Sequence, residues 1–150
     1  MLKLDYLKEV DAFPGRVSIK KGGHLTLDHI EQILKENLDE YGIPYELTRD
    51  EVQSGSIFSR AYEDCLCINH PEHRNDYFGY CIRLSVTGNV AFVTINYYGQ
   101  SELTGKKRTE EGRKSRGNIL GYIIKTDQQA FDAEYQYYSI VESAIQEIFE

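Results

Sequence analysis

The sequence predicts an α+β domain, in which an antiparallel sheet of about four to five strands carries two helices mainly on one face. Three observations support this prediction. Segments with helical apolar spacing lie towards both ends, alternating segments lie between them, and short turns join successive alternating segments. Such strands pair antiparallel, and helices gathered on the apolar face of their sheet give a two-layer fold. At this length, residues 1–150 are expected to form one domain.

The N-terminal helix is predicted over about residues 26–41. Thr26 can cap it, and Asp28 suits the positive end of the helix dipole. Gly42 is suited to end the helix, and Pro44 prevents its resumption. The predicted buried stripe consists of Leu27, Ile30, Ile33, Leu34, Leu38 and Tyr41.

Two further regions have mixed or extended patterns. Residues 1–23 are ambiguous, because their first half fits a short helical face and Val17 and Ile19 alternate as in a strand. Residues 45–69 are predicted to be extended, with a Ser/Gly turn at 54–56 followed by two strands or one bent strand ending near Asn69.

The clearest unit is a hairpin of two strands, 77–87 and 90–98, joined by Gly88-Asn89. Gly in the first turn position and Asn in the second are typical of a type II′ turn. A two-residue loop fixes the register, so one apolar face is predicted. It comprises the pairs Val86 with Ala91, Leu84 with Val93, Ile82 with Ile95 and Tyr80 with Tyr97. The opposite face is predicted to pair Cys81 with Asn96, Arg83 with Thr94 and Ser85 with Phe92.

The last third of the chain begins with a Gly-rich stretch over 99–118 and ends in a helix predicted over about 127–149. A short strand is predicted over 119–125 between them. Thr126 followed by Gln129 fits a capping box at the start of the helix. Its predicted buried stripe consists of Phe131, Tyr135, Tyr138, Val141, Ile145 and Ile148.

The segment from Cys65 to His73 gathers most of the residues that could bind metal or perform thiol chemistry. Alternation along a strand places Cys65 and Cys67 on one face, and Cys81 falls on the corresponding face of its own strand. The three thiols could therefore lie together, near a loop that carries His70 and His73. Cys-x-Cys differs from the Cys-x₂-Cys spacing of common zinc sites, so ordinary packing is favoured and neither a metal nor another cofactor is assigned. A nucleophilic Cys–His pair is the alternative for this segment.

A basic cluster offers a second candidate site. Six of the 17 Lys and Arg residues fall within residues 106–116, with glycines among them. This segregation can mark a phosphate contact, although no P-loop pattern is present and a solvated loop is favoured. The candidate ligand-binding residues are Lys106, Lys107, Arg108, Arg113, Lys114 and Arg116.

Tyrosine supplies a third candidate, because the chain has 12 tyrosines and no tryptophan. Tyrosine is frequent at interfaces, since it offers a large ring and a hydroxyl group. The candidate interface residues are Tyr97, Tyr98, Tyr135, Tyr137 and Tyr138, with core-edge packing as the alternative.

The overall charge and the cysteines indicate the class of protein. A formal net charge of −7 opposes binding to nucleic acid and to anionic membranes. No signal peptide or membrane-spanning run is visible, and three cysteines cannot all pair, so reduced thiols in the cytoplasm are expected. These features favour a non-enzymatic binding or interaction module, adaptor- or chaperone-like, that forms a homodimer and binds another protein. The alternative is a small-ligand or phosphate-ligand protein, or an enzyme, that uses the Cys65–His73 segment or the 106–116 loop.

Overall fold

The computed structural model describes residues 1–74, 77–101 and 124–150, with side chains in the last segment from residue 128 onward. Within these ranges, no helix is both long and apolar enough to cross a membrane. The helices are α1 (Leu27–Tyr41) and α2 (Ile124–Gln146), and short 3₁₀ turns cover Leu4–Tyr6 and Glu147–Phe149. The strands are β1 (Leu2–Lys3), β2 (Lys8–Glu9), β3 (Arg16–Lys20), β4 (Glu46–Ser56), β5 (Ser59–Asn69), β6 (Phe78–Thr87) and β7 (Val90–Gly99).

The α+β class is confirmed, but the sheet is larger than the predicted four to five strands and is mixed rather than antiparallel. Its order in the described chain is β1-β4-β5-β6-β7-β2, and β3 also pairs with β7. The β1–β4 pair is parallel, with Leu2 opposite Val52, and the other pairs are antiparallel. The additional strands β1 and β2 have two residues each, which is too short for alternation to be visible in the sequence.

The sheet is strongly curled, and the connection between β1 and β2 explains why. In a flat sheet, five strand spacings of about 4.8 Å would separate these two edge strands by about 24 Å. The five peptide steps from Lys3 to Lys8 can span at most about 18 Å, and the 3₁₀ turn at Leu4–Tyr6 shortens this reach. Residues 2–9, which we call the strap, therefore draw the two edges towards each other across one face.

The hairpin of β6 and β7 has the predicted register. Ile82 lies opposite Ile95, Tyr80 opposite Tyr97, and Cys81 opposite Asn96. Gly88 has a φ angle of 61°, which suits the first position of a type II′ turn.

The β4–β5 hairpin turns later than predicted. Residues 54–56 belong to β4, and the two-residue connection is formed by Ile57 and Phe58. Gly55 has a φ angle of 90°, and a Cβ there would collide with the Ser59 carbonyl group. The glycine was predicted to lie in the turn, but it allows a local backbone distortion near the end of a paired strand.

Helix α1 agrees with its prediction. The Thr26 hydroxyl accepts a hydrogen bond from the His29 backbone N–H, and the His29 ring accepts one from the Thr26 backbone N–H. Gly42 ends the helix in the left-handed conformation with a φ angle of 68°. The buried stripe is narrower than predicted and consists of Ile30, Leu34 and Leu38.

Helix α2 begins at Ile124, so Thr126 lies inside the helix and is not its N-cap. Residues 124–126 contain no proline or glycine that would disrupt a helix. The helix can therefore begin before Thr126, even though threonine is a suitable cap residue. Of the strand predicted over 119–125, residues 119–123 lie outside the described residues, and the remainder is helical.

Both helices pack on one face of the sheet, as predicted, and this is the convex face because the strap draws the edges together across the other face. The core there contains Ile30, Leu34, Leu38, Tyr138, Val141 and Ile145 from the helices, and Leu66, Ile68, Tyr80, Ile82, Val93 and Ile95 from the strands. The other, concave face has a separate small cluster beneath the strap, which holds the cysteines.

Candidate functional site: a thiol cluster beside a cleft

The three cysteines of the chain converge on the concave face. Cys65 and Cys67 are two residues apart on β5, and Cys81 lies directly opposite Cys67 on β6. Their Sγ atoms all lie within 4.8 Å of one another, and the Cys65–Cys67 separation is 3.9 Å. Each cysteine is at most 2% exposed. The alternation argument thus placed the three side chains on the correct face, and the β5–β6 register brings them into contact.

The thiol cluster is enclosed mainly by apolar side chains. Val52 and Tyr98 are buried beside the cysteines, and Leu2 and Leu7 from the strap pack against them. A thiol in such surroundings has little contact with water, so its hydrogen bonds are made mostly within the protein.

A polar network joins the thiol cluster to the end of the sheet. The buried Asn69 amide donates to the Phe78 carbonyl at 3.2 Å and to the Tyr98 hydroxyl at 2.9 Å. The Tyr98 hydroxyl also donates to the Asn69 side-chain oxygen at 3.1 Å, so its single proton is shared between this oxygen and the Cys67 sulfur. Gly79 makes the arrangement possible, since a Cβ there would collide with the Asn69 amide and the Tyr98 hydroxyl.

The pKa values of the three thiols shift in different directions. Hydrogen bonds from Cys65 and then Cys81 lower the pKa of Cys67, and Tyr98 contributes in the same direction, although burial opposes them. The hydrogen bond to Cys67 raises the pKa of Cys65, and hydrogen bonds to the other two thiols raise the pKa of Cys81. The hydrogen bonds within the cluster thus favour the ionised form at Cys67, with the other two thiols acting as donors.

One cation borders the cluster. Arg83 lies opposite Cys65 in the register and donates to the Asn96 side chain at 3.0 Å. Its guanidinium group also lies 3.4 Å from the Glu63 carboxylate. Within the described part of the chain, the buried Arg83 Nε has no hydrogen-bond partner. A positive group with a spare donor thus stands beside side chains that can become thiolates.

A cleft of about 690 Å³ opens between the strap and the concave face. Cys67, Asn69 and Tyr98 contribute to its lining, so the thiol cluster is adjacent to open space despite its burial. The remaining lining residues are Met1, Leu2, Asp5, Tyr6, Lys8, Thr48, Asp50, Gly99 and Gln100.

The histidines that were considered with the thiols lie elsewhere. His70 stacks on His73 with ring centroids 4.5 Å apart, and His70 also packs against Tyr137. The His73 Nδ1 atom lies 3.0 Å from the Tyr138 hydroxyl. Tyr137 and Tyr138 belong to α2, so the histidine pair faces the helix layer and is separated from the thiols by the sheet.

The predicted basic site, Lys106, Lys107, Arg108, Arg113, Lys114 and Arg116, lies outside the described residues.

The tyrosines divide into buried and accessible residues. Tyr97, Tyr98 and Tyr138 are buried within the chain, Tyr137 is half-buried, and Tyr135 is 45% exposed. The interface role of the group stays a prediction, with Tyr135 as its most accessible member.

Several residues of the candidate site were missed in the sequence. Asn69 was recognised only as the end of a strand, and Arg83 only as a residue of the polar face of the hairpin. The Cys67–Cys81 pairing depends on a connection too long to fix a register by turn geometry. The strap gave no clear signal, because its strands contain two residues each.

Comparisons of the chain with protein-family models, with curated proteins and with solved structures find no match.

Proposed function

We propose that this chain is a non-enzymatic binding module whose ligand occupies the cleft beneath the strap. The observation that carries the proposal is the cleft itself, about 690 Å³ in volume. Clefts of about 300–1,000 Å³ with an apolar lining and a few polar groups are typical of small-molecule sites. The cleft combines Leu2 and Tyr6 with the polar groups of Thr48, Asn69 and Tyr98.

The rigidity of the cleft floor supports binding. Asn69 and Tyr98 lie on long paired strands and are fixed by hydrogen bonds to each other and to the Phe78 carbonyl. A floor that is already ordered costs little conformational entropy when a ligand binds.

The location of the histidines favours binding over thiol catalysis. A thiol nucleophile is usually activated by an adjacent base. His70 and His73 are the histidines nearest the cysteines in sequence, and they pack against α2 instead. The proposal places the protein in the cytoplasm, where three unpaired cysteines remain reduced.

The charges at the cleft balance. Asp5 and Asp50 contribute two carboxylates to the lining, and Lys8 and the N-terminal amine of Met1 contribute two ammonium groups. The Met1 amine is already paired with the Asp50 carboxylate at 3.0 Å. We therefore expect a small aromatic ligand to bind through contacts of its ring with Leu2 and Tyr6, with similar affinity for an amine and a carboxylate of the same shape.

The experiment uses tryptamine and its carboxylate counterpart, indole acetate, as probes of the reduced full chain. Amide resonances of cleft residues are followed by NMR during titration. Both probes are expected to shift them, because the contacts of the ring are shared by the two molecules. Thr48→Trp should fill the cleft and abolish the shifts, whereas Ser85→Trp, at an exposed site on β6, should preserve them. Shifts that persist in Thr48→Trp, or no shift with either probe, would contradict the proposal.

We also propose self-association through the distal end of the β4–β5 hairpin. Ile57 is 79% exposed and Phe58 is 96% exposed at this turn. Adjacent apolar side chains with such exposure are a typical contact surface, and two-fold pairing is the usual arrangement for identical chains.

A further inference from the structure

We infer that Cys65, Cys67 and Cys81 form a binding site for a zinc ion, with a fourth coordination position that opens towards the cleft. The inference goes beyond the proposed function, because zinc would need only the three thiolates and not an organic ligand.

The distances between the thiols fit such an ion. Zinc–sulfur bonds of about 2.3 Å in a tetrahedron place the sulfur atoms about 3.8 Å apart. The Cys65 and Cys67 sulfurs are already 3.9 Å apart, and all three lie within 4.8 Å. Side-chain movements of well under 1 Å each would bring the cluster to this geometry. The cysteines occupy adjacent paired strands, which hold the backbone in position before any ion binds.

The donor atoms select the class of metal. Three thiolates are soft ligands, which favour zinc or monovalent copper over hard ions such as magnesium. Among the described residues, no carboxylate or imidazole completes the group. A water molecule or a cleft ligand would therefore supply the fourth donor, as in zinc sites with three protein ligands.

The electrostatic surroundings favour a divalent ion. Three thiolates carry three negative charges, and a divalent ion leaves a smaller uncompensated charge in this buried location than a monovalent one does. Asp50, opposite Cys65 on β4, adds a further negative charge, whereas Arg83, opposite Cys65 on β6, is already paired with Glu63.

Cys67 provides the route for the ion. It is the one cysteine of the cluster that lines the cleft, so zinc can reach it without opening the sheet. The other two thiols lie deeper and would lose their protons as the ion enters. This arrangement differs from ordinary cysteine packing, which does not require an adjacent opening.

The test begins with the reduced full chain and needs no variant. Cobalt is titrated as a spectroscopic substitute for zinc, and the absorption is followed. We expect saturation at one ion per chain, with thiolate charge-transfer bands and the visible bands of tetrahedral cobalt. Zinc should displace the cobalt, and magnesium should not. Absence of these bands from folded, reduced protein would overturn the inference.

Variants then assign the ligands. Zinc binding should weaken by at least about 100-fold in each of Cys65→Ser, Cys67→Ser and Cys81→Ser. This loss is larger than that caused by removing a residue that only hydrogen-bonds to a metal ligand. Val52→Ala is the matched control, because Val52 is buried in the same cluster but has no donor atom. Far-ultraviolet circular dichroism verifies that each variant is folded. Equal zinc affinity in a folded Cys67→Ser variant would refute the site.

One other outcome is also decisive. Saturation by monovalent copper with no zinc binding would exclude the divalent site. Zinc binding without any tryptamine binding would leave this inference intact while contradicting the cleft proposal, so the two failures can be distinguished.

Discussion

His70 shows how a single side chain can make stability depend on pH. Its Nδ1 atom accepts a hydrogen bond from the Glu72 backbone N–H at 3.1 Å, which requires that this nitrogen carry no proton. Burial, and secondarily the adjacent His73, lower the pKa of His70, while Glu72 and Glu134 oppose the shift. The folded chain therefore binds fewer protons than the unfolded chain in this range.

The sign of the pH effect follows from this difference. The free energy of unfolding should decrease as the pH falls through the ordinary histidine pKa of about 6.5 towards the lowered pKa of His70. Urea unfolding between pH 7.5 and 5 measures it, and His70→Gln should reduce the dependence. His24→Gln, at an exposed histidine, is the control. An unchanged pH dependence in His70→Gln would show that other groups cause it.

At the same scale, the sequence predicted the shared face of the cysteines but not their network. Alternation alone places Cys65 and Cys67 together. The contacts among Asn69, Tyr98 and Gly79 depend on three strands meeting in one register. Such contacts have no local signature, because each residue is ordinary in its own strand.

Among the elements, the β6–β7 hairpin is the most predictable. Its two-residue turn and its alternation specify the same register, and Ile82 and Ile95 face each other with no more than 1% exposure. The strap strands were not predicted, because strands of two residues show no alternation. The early start of α2 was not predicted, because no residue before Thr126 marks the beginning of the helix.

The hairpin can be tested by removing one core side chain. Ile82→Ala should lower the free energy of unfolding by roughly 2–5 kcal/mol, because it leaves a cavity in the convex-face core. Chemical denaturation measures the loss. Val86→Ala, on the same face but 42% exposed, should cost much less. A loss below about 0.5 kcal/mol in Ile82→Ala would contradict its core position.

For the whole molecule, the exposed hairpin turn predicts a concentration-dependent homodimer. Phe58→Ser should weaken association, because it removes the most exposed aromatic ring from the proposed contact. Light scattering during size exclusion measures the mass. Tyr135→Ser is the control, since it removes an exposed ring from α2 and tests the tyrosine interface separately. A mass of 17.3 kDa at every accessible concentration would refute self-association.

The strap also has a consequence for the order of folding during synthesis. The Lys8 carbonyl accepts a hydrogen bond from the Asn96 side chain, 88 positions later in the chain. At a translation rate of about 5–20 residues per second, that partner is made roughly 4–18 s after Lys8. Lys8 and Glu9 must therefore wait for their β7 partner until the β6–β7 hairpin exists, although β1 can pair with β4 earlier, so the strap cannot close over the cysteines before β7 is made. Until then, the three thiols of the nascent chain are accessible to metal ions and reactive molecules in the cell.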